Sequence, residues 1–150
     1  MDPRDPPQSP WPSLDELAGE RYRSRRRPPL ILVAEDDEEM RSLLVQALAG
    51  DGYVVRAVAD GARLVEQVSE QPLAGGVDLI IADIRLPVVD GLAAVEALRR
   101  ARCTVPVILV TAFGDDATRR KALTLGAMLF DKPFALADLR TAVMYLVPIR

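Results

Sequence analysis

The most constraining stretch of this 150-residue sequence is residues 30–37, which read Leu-Ile-Leu-Val-Ala-Glu-Asp-Asp. Five consecutive apolar residues are typical of a short strand that is buried on both faces. Three acids follow directly, so the strand must end at a polar edge. Residues 78–87 repeat this arrangement, because the apolar residues 79–82 run straight into Asp83. The two stretches together predict buried parallel strands that end in carboxylates.

Strand and helix patterns alternate outward from these two stretches. Strands are predicted over residues 30–34, 53–58, 77–82, 105–110 and 127–130. Helices are predicted over residues 40–48, 62–69, 92–101, 115–125 and 136–147, from apolar residues at helical spacing. Five βα units with right-handed crossovers favour an α/β fold of the flavodoxin-like (βα)5 type, a doubly wound parallel sheet with strand order 2-1-3-4-5.

Proline divides the chain into two parts. Seven of the 12 prolines fall in residues 1–29, where the missing N–H and the fixed backbone disfavour helices and central strands. This leader carries a net charge of +1, with six arginines against five acids, whereas residues 30–150 carry −4. We expect a Pro/Arg-rich, disordered leader over residues 1–29 and a folded domain over residues 30–150. The alternative for the leader is a docking segment for an acidic partner or an anionic surface.

Composition excludes several classes of protein. The sequence has no histidine and one cysteine, Cys103, which argues against histidine-assisted hydrolases, internal disulfides and structural zinc sites. No apolar run approaches the ~20 residues that span a bilayer, and no secretory signal begins the chain, so we expect a cytoplasmic protein without membrane insertion. The acidic domain disfavours nucleic acid as a partner. No glycine-rich loop follows the first strand, which argues against nucleotide binding.

Polar residues stand at the ends of four predicted strands. Glu35 and Asp36 follow the first strand, Asp83 the third, Thr111 the fourth, and Lys132 comes shortly after the fifth. In the expected fold these ends share one edge of the sheet. Clustered carboxylates need a cation, and hard oxygen ligands suit Mg²⁺. A lysine and a threonine can hold phosphoryl oxygens, and a carboxylate such as Asp83 can act as a nucleophile.

Simpler roles exist for some of these residues. Asp36 with Glu39 fits a capping box at the start of a helix, and Asp83 alone could be a turn residue. Neither role explains acids at two strand ends. Lys132 is one of two lysines against 17 arginines. A lysine at this place therefore indicates a chemical need for the smaller head group.

The chain resembles the receiver domains of two-component response regulators. The resemblance covers about residues 30–147 and rests on segments that occur in the family's order, namely residues 31–37, 78–87, 90–91, 105–112, 126–127 and 132–134. Because the sequence stops soon after the last predicted helix, the stand-alone, single-domain type of response regulator is expected.

The resemblance implies a role for each site residue. Asp83 would accept a phosphoryl group from a histidine kinase or a histidine phosphotransfer protein. The implied Mg²⁺ ligands are Glu35, Asp36, Asp83 and the backbone carbonyl of Arg85. The implied phosphoryl-binding groups are Thr111, the backbone amide of Ala112, and Lys132. A cis peptide is expected at Lys132–Pro133. An output protein would bind the face formed by the fourth helix, fifth strand and fifth helix, and a homodimer is a further option.

Two departures from the family pattern stand out. The segment between Gly126 and Lys132 is one residue short, so that the aromatic switch residue of the family corresponds either to Phe130 or to Leu129. The residues two beyond Asp83 and Thr111 are Arg85 and Phe113, which are both bulky. In the family these positions tune the access of water, so we expect slow self-dephosphorylation.

The expected function is a phosphorylation-controlled signalling switch that acts on no separate substrate. The first alternative is an adaptor with a receiver fold that works without phosphorylation. A second alternative is a Mg²⁺-dependent phosphatase with an aspartate nucleophile. Such enzymes usually carry another acid two residues after the nucleophile, where this chain has Arg85.

Overall fold

A computed structural model describes residues 27–70 and 76–149. The strands are β1 (Leu30–Ala34), β2 (Val54–Val58), β3 (Leu79–Asp83), β4 (Val107–Thr111) and β5 (Met128–Asp131). The helices are α1 (Glu38–Gly50), α2 (Gly61–Glu70), α3 (Gly91–Arg100), α4 (Asp116–Thr124) and α5 (Leu136–Leu146). The expectation of a disordered leader concerns residues 1–29, of which residues 1–26 lie outside the described residues.

The five strands form one parallel sheet in the order β2-β1-β3-β4-β5. Val33 of β1 lies between Ala57 of β2 and Ile81 of β3, and Asp83 of β3 pairs with Val110 of β4. Each strand is followed by a helix that returns the chain to the opposite end of the sheet. The predicted flavodoxin-like fold and its strand order are confirmed.

Helices cover both faces of the sheet and create two apolar cores. Every residue of β1, β3 and β4 is buried, which explains why these segments are continuously apolar in sequence. One core lies between the sheet and α2, α3 and α4, and it contains Leu64, Val95 and Ala122. The other core lies beneath α1 and α5 and contains Leu48 and Leu139. Among residues 27–70 and 76–149, no helix has the length and apolar character needed to cross a bilayer.

The strands that carry the polar residues lie slightly further along the chain than predicted. β3 and β4 both begin two residues later and end one residue later than the apolar patterns indicate. Pro106 precedes β4 because it has no N–H to donate, and its carbonyl accepts a hydrogen bond from Ile80. The shift makes Asp83 and Thr111 the last residues of their strands, where the sheet fixes their backbones.

The predicted capping box of α1 is wrong. The cap residue is Asp37, whose carboxylate accepts a hydrogen bond of 3.0 Å from the N–H of Met40. Asp37 stands one residue closer to the helix than Asp36, so it satisfies the free N–H of the first turn. The carboxylate of Asp36 is therefore left for another role.

Candidate functional site

The site lies at the carboxyl edge of the four adjacent strands β1, β3, β4 and β5. Glu35 directly follows β1, Asp83 and Thr111 end β3 and β4, and Lys132 directly follows β5. Because the strands are parallel neighbours, residues that are 97 positions apart in sequence come into contact here. The peptide bond between Lys132 and Pro133 is cis, as the resemblance to receiver domains implies.

A short ion pair forms the centre of the site. The ammonium Nζ of Lys132 lies 2.5 Å from Oδ2 of Asp83 and 3.4 Å from Oε1 of Glu35. The other Asp83 oxygen, Oδ1, accepts a hydrogen bond of 2.9 Å from the N–H of Arg85. Glu35, Asp83 and Thr111 are almost completely buried, with 3%, 7% and 4% of their surface exposed. The site is therefore a set of charges largely removed from water.

Burial and neighbouring charges shift the pKa values of two of these groups. Burial raises the pKa of Glu35 to about 7, and the hydrogen bond to Asp83 and its negative charge act in the same direction. Burial lowers the pKa of the Lys132 ammonium, but the carboxylates of Asp83 and Glu35 outweigh it, so that this pKa is raised overall. Burial is thus the first cause of the raised pKa of Glu35, whereas the two carboxylates cause the raised pKa of Lys132.

Three carboxylates converge on one point of the edge. Oxygens of Glu35, Asp36 and Asp83 all lie within 4.8 Å of one another, and Asp36 is exposed to solvent. This set of hard oxygen donors, open on one side, fits a Mg²⁺ ion that keeps several of its waters. A single ammonium leaves the three carboxylates with excess negative charge, which a divalent cation would balance.

Two loops border the site and contact each other above it. The hydroxyl oxygen of Thr111 accepts a hydrogen bond of 3.1 Å from the N–H of Phe113, in the loop between β4 and α4. The guanidinium of Arg85, in the loop between β3 and α3, lies 4.4 Å from the centre of the Phe113 ring. This is the geometry of a cation–π contact. Arg85 and Phe113, the two bulky residues that depart from the family pattern, thus contact each other where the two loops meet beside Asp83, which we call the mouth of the site.

β5 directs its aromatic and aliphatic side chains to opposite faces of the sheet. Phe130 packs with the core beneath α1 and α5, and its ring meets Phe134 edge to face at 6.0 Å between centres. Leu129 packs with the core on the side of α4. The next residue on the α4 side is Asp131, which pairs with Arg119 of α4 at 2.6 Å. The side of β5 that faces α4 therefore carries no aromatic residue.

Two supporting residues escaped the sequence reasoning in different ways. Arg41 donates hydrogen bonds of 3.0 Å and 3.4 Å to the carbonyls of Glu35 and Asp36, and so fixes the acidic segment. Nothing in the sequence distinguishes Arg41 from the many other arginines. Gly91 is required by a close backbone approach, because a Cβ there would lie 2.3 Å from the carbonyl oxygen of Asp83. α3 can begin against the acceptor strand only because residue 91 has no side chain.

A comparison of the sequence with models of known protein families identifies the family of this chain. Residues 31–144 match the model of the response regulator receiver domain. The chain belongs to this family. The resemblance to receiver domains is confirmed, and with it the assignment to two-component systems. The receiver assignment brings no enzyme family with it.

Curated relatives of this receiver are longer proteins. The transcriptional regulatory protein TcrA of Mycobacterium tuberculosis is 39% identical over 110 residues, which are 73% of this chain and 42% of that protein. The transcriptional activator protein PfeR of Pseudomonas aeruginosa is 38% identical over 112 residues, which are 74% of this chain and 35% of that protein. The receiver thus spans about two fifths of the length of such relatives.

Solved receiver structures share the fold. The non-phosphorylated receiver domain of HemR from Leptospira biflexa is 27% identical with a TM-score of 0.72, and the match covers 81% of this chain and 96% of that one. The response regulator TrrA of Thermotoga maritima, in a complex with Mg²⁺ and BeF, has a TM-score of 0.69 at 24% identity, and the match covers 79% and 99% of the two chains. The second likeness shows the fold alone.

Proposed function

We propose that this receiver is a phosphorylation-controlled switch whose phosphoryl acceptor is Asp83. The observation that carries the proposal is the environment of its carboxylate, which is buried at a strand end, lies 2.5 Å from an ammonium and converges with two further acids. Such a group is held in place for attack and surrounded by charge that can bind a phosphoryl group. A simple turn residue has no need of either feature.

The reaction consists of one displacement. An oxygen of the Asp83 carboxylate attacks the phosphorus of a phosphohistidine on a histidine kinase or a histidine phosphotransfer protein. The new O–P bond forms as the N–P bond breaks, and the imidazole leaves with the electron pair. Lys132, the hydroxyl of Thr111 and the amide of Ala112 bind the phosphoryl oxygens. Phosphoryl transfer depends mainly on such positioning and charge neutralisation.

Mg²⁺ is the cofactor that this donor set fits. The carboxylates of Glu35, Asp36 and Asp83 would hold the ion together with the carbonyl of Arg85. When bound, the ion neutralises charge on the phosphoryl oxygens and on the acids. The same residues serve dephosphorylation, a separate reaction in which water attacks the phosphorus of the acyl phosphate, the bond from the Asp83 oxygen to phosphorus breaks, and inorganic phosphate leaves as the carboxylate is regenerated. The receiver therefore acts on itself and has no separate substrate.

The response reaches a partner through the face formed by α4, β5 and α5. Leu129 takes the place of the family's aromatic switch residue, because its side chain packs toward α4 whereas that of Phe130 packs on the other side. Leu123 of α4 and Tyr145 of α5 are strongly exposed apolar residues on the two helices of this face. Phosphorylation would shift a two-state equilibrium of this face and so change which partner binds, including a second copy of the chain.

Intact mass spectrometry tests the proposal directly. The full chain is incubated with acetyl phosphate, with and without Mg²⁺, as wild type, as Asp83→Asn, and as Asp138→Asn, an exposed aspartate of α5. Wild type and Asp138→Asn should gain one phosphoryl group when Mg²⁺ is present, and Asp83→Asn should gain none. A wild type without gain, or equal gain in Asp83→Asn, would favour the phosphorylation-independent adaptor.

The same assay tests the domain boundaries. We assign the chemistry to residues 30–150 and treat residues 1–29 as a leader outside it. A chain that lacks residues 1–29 should therefore gain the phosphoryl group at the rate of the full chain. A large loss of rate would mean that the leader takes part in the reaction.

A further inference from the structure

We propose that Arg85 responds to the phosphoryl group by exchanging partners, so that its guanidinium leaves the ring of Phe113 and binds a phosphoryl oxygen on Asp83. The inference rests on the proposed function, since it assigns the regulation of that same site. In the unphosphorylated state the pair holds two loops together. In the phosphorylated state the loop before α4 is released.

The two loops have matching geometry around the acceptor. In each loop a backbone N–H turns back on the polar residue two positions earlier, from Arg85 to Asp83 at 2.9 Å and from Phe113 to Thr111 at 3.1 Å. The side chains of the two N–H donors then meet across the gap at 4.4 Å. This contact joins the loop of the acceptor to the loop of the hydroxyl that we assign to phosphoryl binding.

Arg85 is placed to detect new negative charge. Its backbone nitrogen already lies 2.9 Å from the Asp83 carboxylate, so its side chain is long enough to reach an oxygen attached there. Lys132, which we assign to phosphoryl binding, already contacts both buried carboxylates before phosphorylation, so it has no new partner to find. Arg41 binds two backbone carbonyls. Arg85 is exposed, and among residues 27–70 and 76–149 the partner of its guanidinium is an aromatic face, which attracts a cation less strongly than a phosphate does.

Phe113 is placed to pass the change on to α4. Phe113 is 65% exposed, so its ring has little packing, and the contact with the Arg85 guanidinium contributes much of what fixes the position of the ring. Its carbonyl accepts a hydrogen bond of 3.1 Å from the N–H of Asp115, which caps α4. The intervening Gly114 accepts a hydrogen bond of 3.2 Å from Arg119 of α4. Release of the Phe113 ring therefore loosens the start of α4, which is the first element of the proposed output face.

Fluorine NMR on the full chain tests the exchange. The protein is labelled with 4-fluorophenylalanine, which gives three resonances that single Phe→Leu replacements assign. Mg²⁺ and beryllium fluoride are then added as a stable mimic of the phosphoryl group. Phe130 and Phe134, which pack beneath the sheet, serve as internal references. The bound fluoride gives its own resonances, so the same spectrum reports whether Asp83 is loaded.

On loading, the resonance of Phe113 should move more than those of the two references. In Arg85→Ala it should start away from its wild-type position, and its shift on loading should shrink severalfold. Arg100→Ala, which removes an exposed arginine of α3, should behave like wild type. A loaded wild type with an unmoved Phe113 resonance, a full shift in Arg85→Ala, or failure of Arg85→Ala to load would each overturn the exchange alone. Absence of bound fluoride from wild type would overturn the proposed function and the exchange together.

Discussion

The two ends of the sheet use charge in opposite ways. At the carboxyl end, Glu35 and Asp83 are buried beside a single ammonium, and burial raises the pKa of Glu35 to about 7. At the amino end, two arginines are matched by partners of their own. Arg140 forms a two-bond ion pair with Asp51 at 2.8 Å and 2.5 Å, and Arg99 of α3 donates to three backbone carbonyls.

The contrast indicates that charges at the amino end stabilise the folded state, whereas charges at the carboxyl end destabilise it. Paired groups at the amino end close the connections between α1 and β2 and between α3 and β4, and they lower the free energy of the folded state. The crowded carboxylates at the other end raise that free energy until a cation or a phosphoryl group binds. Substitutions at the two ends should therefore change stability with opposite signs.

The largest expected effect is at the amino end. The half-buried guanidinium of Arg99 binds the carbonyls of Leu125, Cys103 and Val105 at 2.9, 2.9 and 2.7 Å. Arg99→Ala removes these charge-assisted hydrogen bonds and should lower the free energy of unfolding by about 3 kcal/mol. Urea denaturation measures the change. Arg100→Ala is the matched control, because the next arginine makes only an exposed pair with Glu96, and it should unfold close to wild type.

The second prediction reverses the sign at the carboxyl end. Because the folded state raises the pKa of Glu35 from 4.5 to about 7, that state holds an extra proton between these values. Stability should therefore fall as pH rises from 4.5 to 7, and the full cost should be present above pH 7. Glu35→Gln should raise the free energy of unfolding by about 2 kcal/mol at pH 8 without divalent cations.

Two comparisons make this second prediction strict. Below pH 4.5, where Glu35 is protonated in both the folded and the unfolded state, the gain from Glu35→Gln should vanish. Glu66→Gln, which neutralises an exposed acid of α2, should leave the pH dependence of wild type intact. A Glu35→Gln protein that is less stable than wild type at pH 8 would contradict the proposed crowding of charge.

The carboxyl end was more predictable from sequence than the amino end. Apolar runs that end in acids identify buried strands and their polar ends, so Glu35, Asp83 and Thr111 could be expected together. The contacts of Arg99 could not, because three carbonyls leave no sequence signal and the chain has 17 arginines. The direction of the Phe130 ring also could not be predicted, because a shift of β5 by one residue would turn this side chain to the other face of the sheet. Short local patterns in the sequence predict this fold, whereas the contacts of long side chains such as Arg99 depend on which distant residues the folded chain brings near them.

The third prediction concerns backbone strain at the carboxyl end. Val88, in the loop after Asp83, has a φ of 70°, a left-handed conformation that a β-branched residue rarely adopts. Its side chain is 82% exposed, so little packing is lost on replacement. Val88→Asn should raise the free energy of unfolding by about 1 kcal/mol, since asparagine tolerates this conformation. Val54→Asn, at an exposed position of β2, should instead lower stability.

The smallest effect is expected on the lifetime of the phosphoryl group. Arg85 and Phe113 are two bulky side chains that lie 4.4 Å apart beside Asp83 before phosphorylation, and both should still narrow the path of water to the acyl phosphate once Arg85 binds the phosphoryl group. A barrier raised by about 0.5–1 kcal/mol corresponds to a rate about two- to fivefold lower, so Arg85→Ala and Phe113→Ala should each speed dephosphorylation by that factor. Loss of the phosphoryl group from isolated phosphoprotein, followed by intact mass, gives the rate. Arg100→Ala, at the far end of α3, should keep the wild-type rate. Unchanged rates in both mouth variants would mean that water reaches the phosphorus by another side, and the contrast between the two ends would then extend to stability but not to the chemistry.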